Sequence, residues 1–262
     1  MADEDRPRVT VERDGHVLRI GLDRAEKRNA ADWRMLNELA LAYEVLDQDP
    51  ELRVGLVFAH GDHFTAGLDL ADVAPRIGAD GLRLDGGLHP WQVDGRSLTK
   101  PVVMVVQGTC LTLGIELALA SDIVVAAESA TFSQLEVARG ILPFGGATIR
   151  FPRTAGWGDA MRWMLTGDTF DAAEAHRIGL VQEVVPHGEQ FARGLELARR
   201  IAAQAPLAVQ ATLANARLAV REGAAAAEEH LQPELVRLVA SEDAAIGIRA
   251  FLAREQAEFV GR

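Results

Sequence analysis

The stretch KPVVMVVQGTCLTLGIELALASDIVV, Lys100 to Val125, decides the fold. An apolar run, Val102–Val106, enters a turn at Gly108. A run of helix-forming residues follows, and a second apolar strand begins near Ile123. Strands this continuously apolar are buried on both faces, as in α/β proteins. The intervening helix carries Glu116, and Asp122 sits at the helix-to-strand junction. Carboxylates in such surroundings are paired, neutralised or put to use. Asp122 reads as fixing the junction, which leaves Glu116 to be explained.

The same grammar recurs on either side. VFAHGDHFTAGLDL (57–70) runs from a buried strand through a glycine-bearing turn into a short helix, and FSQLEVARGILPFGGAT (132–148) repeats it more loosely. The first amides of a helix have no intrahelical acceptor, and the helix dipole adds positive character there. Two such ends aimed at one point can hold a developing oxyanion. The candidate amides are those of Leu68, just after Gly67, and Leu113, just before Gly114.

Further out, VTVERDGHVLRIGLD (9–23) reads as a hairpin with its two-residue turn at Asp14-Gly15. Trp33, Leu36, Leu39, Ala40, Tyr43 and Leu46 share one helical face, with Asp32 as N-cap. Residues 74–100 lack periodicity and contain five glycines, which suits a loop or lid. Beyond about residue 155 the chain is helical apart from GLVQEVVP (179–186). A compositional shift near 190 divides the chain into a core over 1–190 and a helical C-terminal region over 191–262.

The 262 residues are 48% hydrophobic and 25% charged, enough to bury a sizeable core. A net charge of −11 argues against nucleic acid or an anionic membrane as partner. Cys110 is the single cysteine, so no intrachain disulfide forms. No run approaches the roughly 18 apolar residues of a membrane span, and MADEDRPRV offers no apolar signal region. The expectation is a cytoplasmic protein. His60 and His63, three apart on a loop, read as structural, and no metal is expected. Cys110 and Tyr43 read as packing residues. His89 and Trp91 are candidates for lining a ligand pocket, Trp91 more for packing.

Taken in order, LDRAEKRNAAD, HFTAGLDL, the 100–151 block, LTGDTFDAAEAHRIGLVQEVVP and FLAREQAEFVGR resemble the crotonase superfamily of enoyl-CoA hydratases and isomerases over nearly the whole chain. The resemblance implies an α/β spiral of ββα units with a helical C-terminal region. It implies hydration of a 2-enoyl-CoA to a 3-hydroxyacyl-CoA, with no cofactor besides the coenzyme A of the substrate. Alternatives are an isomerase, another crotonase-type lyase or hydrolase, or a silent acyl-CoA binder. The family pattern maps Glu116 and Glu136 onto the catalytic glutamates, and Leu68 and Leu113 onto the oxyanion amides. It places Lys27, Arg28, Ala66, Gly67, Asp69, Leu70, Gly114, Pro143, Phe144 and Arg254 at the acyl-CoA site, although Asp69 reads by itself as a support for its loop. A homotrimer or a dimer of trimers is expected. The chain departs from the pattern at Thr112-Leu113-Gly114, where the family is glycine-rich. It departs again at Leu135, Phe144 and the sparsely basic C-terminus.

Overall fold

The computed structural model describes residues 6–79 and 81–262. In chain order the elements are β1 (Val9–Asp14), β2 (Val17–Leu22), α1 (Trp33–Gln48), β3 (Val54–Ala59), α2 (Leu70–Val73), β4 (Val102–Val106), β5 (Thr109–Leu111), α3 (Leu113–Ala120), β6 (Ile123–Ala127), β7 (Thr131–Ser133), α4 (Ala147–Ala155), α5 (Trp157–Thr166), β8 (Phe170–Asp171), α6 (Ala172–Arg177), β9 (Glu183–Val185), α7 (Gln190–Ala202), α8 (Pro206–Glu222), α9 (Ala224–Val239) and α10 (Glu242–Ala253). No helix among the described residues is long and apolar enough to cross a membrane.

A six-stranded sheet runs in the order β1-β2-β3-β4-β6-β9, parallel except for the β1–β2 hairpin. A small sheet, β5-β7-β8, stands beside it. Successive units put one strand in the large sheet, one short strand in the small sheet and then a helix, as in β4–β5–α3. The earlier unit follows the same course, with Thr65 bridging to Cys110 where its short strand would lie. This is the ββα spiral. Each turn of it delivers a helix N-terminus to the same side.

Strand alternation splits the interior into two layers. Val102, Met104 and Val106 of β4 face the main core with α1 and the small sheet, while Val103 and Val105 face α7. The continuous apolar runs are therefore buried on both faces. The expected boundary at 190 falls at the start of α7, and α7 is a layer of this core. A Cβ on Gly194 would lie 2.1 Å from Val105, so only glycine allows helix and sheet to approach this closely. Ala198 and Ala202 continue the contact. The outlying helices are α8–α10, in which Ala227 and Asp243 are the buried residues.

Asp32 caps α1 by accepting from Met35 N at 2.9 Å, and the apolar stripe is buried from Leu36 to Leu46, with Trp33 partly buried at its start. The hairpin turn differs by one residue. Asp14 pairs with Val17, so the turn is Gly15-His16. Gly15 carries φ +58°. A single positive φ at the first turn position is the II′ pattern, which places glycine there rather than second.

Candidate active site

Two loops of the spiral meet at a cavity of about 440 Å³. The first is held by Asn29, fully buried at φ +53°. Its side-chain amide donates to the carbonyls of His60 (2.9 Å) and His63 (2.8 Å), and its own carbonyl accepts from Thr65 Oγ1 (2.6 Å). Ala31 N donates to Gly67 O, and Asp69 N to Ala31 O. The backbone is thus pinned on both sides of Leu68, while the Leu68 amide has no acceptor among the described residues. Gly67, at φ +95°, supplies the bend.

The second loop enters α3. Thr112 N donates to Ser133 O (3.0 Å), and Thr112 O accepts from Ile115 N and Glu116 N. Leu113 opens the helix, and its amide likewise has no acceptor among the described residues. Its carbonyl accepts from Trp91 Nε1 at 2.9 Å, tying the 74–100 segment to this helix end. Thr112 adopts φ +48°, ψ −109°. A β-branched residue held there stores strain of about 1–3 kcal/mol.

Glu116 lies one turn into α3, only 2% exposed, with Oε1 accepting from Ala147 N at 3.1 Å. Gly145 presses against it so closely that a Cβ would stand 2.6 Å from Oε2. Burial, and then the charge of Glu136, raise its pKa to about 7, opposed by the Ala147 and Gly145 amides and by Arg150. Glu136 opens a tight turn after β7 and is 5% exposed. Its Oε1 accepts from Gln134 Nε2 at 2.9 Å, while Oε2 has no partner among the described residues. Burial raises its pKa as well. The two acids feel each other and line the same cavity.

Of the residues singled out in sequence, Ala66, Leu68, Leu70, Leu113, Glu116, Glu136 and Phe144 line this cavity. His89 and Trp91 line it too, ring edge to ring face at 5.7 Å, whereas Tyr43 is wholly within the core. Gly67 and Gly114 stand behind it as close-packing points, and Pro143 is buried beside Phe144. Lys27 and Arg28 are exposed on the neighbouring turn, where Arg28 O accepts from Ala66 N. Arg254 is exposed at the end of α10 and does not line the cavity. Asp69 turns aside to Arg24 (2.8 Å), the pairing that holds its pKa low, so it supports the loop.

Asp122 accepts from Val102 N (2.8 Å) and pairs with Arg217, fixing the junction as expected. His60 bonds Thr10 Oγ1, and His63 Nδ1 accepts from Thr109 N; both are structural. Sequence reading missed Arg150 and Gln134. Arg150 donates to Gly145 O (3.3 Å) and Gln92 O (3.2 Å), and its charge reaches Glu116. The signal for Gln134 was its place two residues before Glu136. Arg150 stands one turn after the Gly145-Gly146 pair, but only the folded loop shows which acid it faces.

The family model for enoyl-CoA hydratase/isomerase matches residues 12–262. Enoyl-CoA hydratase EchA19 of Mycobacterium tuberculosis is 34% identical over 99% of this chain and 98% of its own length. The 2,3-dehydroadipyl-CoA hydratase of Escherichia coli is 33% identical over 97% and 99%. Among solved structures, a probable enoyl-CoA hydratase/isomerase from Mycobacterium abscessus superposes with a TM-score of 0.95 at 63% identity, covering 98% of this chain and 100% of its own. The spiral of ββα units, the paired acids and the full-length matches agree: the chain belongs to the enoyl-CoA hydratase/isomerase family, the crotonases.

Proposed function

We propose that this enzyme adds water across the double bond of a 2-enoyl-CoA to give a 3-hydroxyacyl-CoA. The observation carrying the proposal is that two acceptorless amides and two buried carboxyls line one mostly apolar cavity. The amides of Leu68 and Leu113 hold the thioester oxygen, on which enolate charge builds as water attacks C3. Removing one such donor typically costs about 10²–10³ in rate. Ionised Glu116, braced by Ala147 and Gly145, orients and deprotonates the water. Protonated Glu136, held by Gln134, delivers the proton to C2. The atoms balance: water supplies the hydroxyl, and the proton gained at C2 is replaced by the one taken at Glu116. The apolar walls, among them Leu36, Leu82, Leu84 and Phe144, take the acyl chain.

The coenzyme A moiety is assigned to the Lys27–Arg28 turn and the Ala66 edge, with Arg254 contributing from α10. An oligomer, a trimer or a pair of trimers, is part of the proposal. Phe251 and Leu252 of α10 are 83% and 76% exposed, and Val236 and Val239 of α9 are exposed too. Apolar surface of that extent marks an interface. The test is a panel of enoyl-CoA esters of varied chain length, assayed for 3-hydroxyacyl-CoA. Formation of the hydroxy product supports the reading. Migration of a 3-enoyl double bond alone would favour an isomerase, and tight binding without turnover a silent acyl-CoA binder.

A further inference from the structure

We propose that the Thr112 hydroxyl is a third hydrogen-bond donor to the substrate's thioester oxygen, placed between the amides of Leu68 and Leu113. This rests on the acyl-CoA reading above and adds a residue to it. Thr112 directly precedes Leu113, and its side chain meets Gly67, which directly precedes Leu68. A Cβ on Gly67 would lie 2.3 Å from Thr112 Oγ1 but 3.6 Å from Cβ and 3.7 Å from Cγ2. The hydroxyl, not the methyl, therefore faces the junction of the two loops. Gly67 is the residue that makes room for it.

A threonine hydroxyl ordinarily spends itself on a nearby backbone carbonyl. This one has no hydrogen-bond partner among the described residues, and Thr112 lines the cavity with Leu68, Leu113 and Glu116. The backbone sits at φ +48°, ψ −109°, a region that suits glycine and resists a β-branched side chain. Glycine would satisfy the turn without strain, so the retained side chain points to a task. The chemistry asks nothing covalent of it. The hydroxyl keeps its proton and donates a hydrogen bond that strengthens as charge grows on the oxygen.

The test compares Thr112→Val, Thr112→Ser and Thr112→Gly in the full chain. Turnover of the best enoyl-CoA ester is measured together with the vibrational frequency of the bound thioester carbonyl. Thr112→Val keeps the shape and loses the donor; its kcat should fall by about 10²-fold with KM little moved, and the carbonyl band should shift toward its free position. Thr112→Ser should lie much nearer the parent in both readouts. Thr112→Gly should melt higher, because the strain is gone, yet turn over slowly. Parent-like kcat and carbonyl frequency in Thr112→Val or Thr112→Gly would overturn the proposal and leave Thr112 a spacer. If Thr112→Val fails to fold, Thr112→Gly decides by the same two readouts. A parent that binds acyl-CoA without hydrating it would sink the hydratase reading alone, since the carbonyl band still reports on the donor.

Discussion

Replacing Glu116 with glutamine tests burial and chemistry together. Its carboxyl titrates near 7 in the folded chain against an ordinary 4.5, chiefly because it is buried. The folded state therefore holds a proton that the unfolded state releases. The stability this contributes is complete below the ordinary value and is lost as pH rises through about 7. At about 1.4 kcal/mol per pH unit, the parent loses roughly 2–3 kcal/mol between pH about 5 and about 8 from this group alone. Glutamine does not titrate, so the variant escapes that loss. Its one acceptor oxygen can keep the bond from Ala147 N, and its NH2 group then stands beside Gly145 in place of Oε2. Leaving that NH2 group unpaired costs about 1–3 kcal/mol at every pH. The variant should thus be less stable than the parent near pH 5 and equal or more stable near pH 8. At roughly 2–4 °C per kcal/mol, the difference in melting temperature should move by several degrees across that range. Hydration should meanwhile fall by about 10²–10⁴-fold, and the acid limb of the parent's kcat/KM profile, centred near pH about 7, should vanish. Thermal scans at stepped pH and initial-rate assays give both readouts. Parallel melting curves together with parent-like turnover would refute the reasoning.

Other outcomes follow from neighbouring contacts. Gly145→Ala drives a methyl into Glu116 Oε2 and Trp91; kcat/KM should fall by about 10-fold or more with the chain still folded, and an unchanged value would show that the position of Glu116 is uncritical. Asp122→Ala removes the acceptor for Val102 N and the partner of Arg217; chemical denaturation should show a loss of about 1–3 kcal/mol, with kcat kept. Phe251→Asp with Leu252→Asp should reduce the particle to a monomer in sedimentation analysis, and an unchanged assembly would remove α10 from the interface.

Much of the fold was legible from local pattern. The doubly buried strands announce themselves as unbroken apolar runs, because both faces of β4 and β6 meet packed layers. The N-cap at Asp32 and the junction role of Asp122 follow from short-range chemistry. So does the suspicion that falls on Glu116, an acid among leucines. The hairpin turn was misread by one residue, because Asp14-Gly15 and Gly15-His16 both satisfy a two-residue loop and cross-strand register chooses between them.

What the sequence by itself determined is the periodicity, the glycine turns and the residue types that could carry the chemistry. These are local properties, fixed by backbone sterics and side-chain polarity within a few positions. Only the tertiary structure decided that Glu116 and Glu136, separated by β6 and β7, share a cavity, and that Arg150 and Gln134 attend them. It alone showed that Asp69 serves Arg24, and that α7 belongs to the core through the missing side chain of Gly194. It also showed that Thr112 turns its hydroxyl onto Gly67. Such pairings depend on how successive turns of the spiral stack, and stacking is set by close packing among residues far apart in the chain.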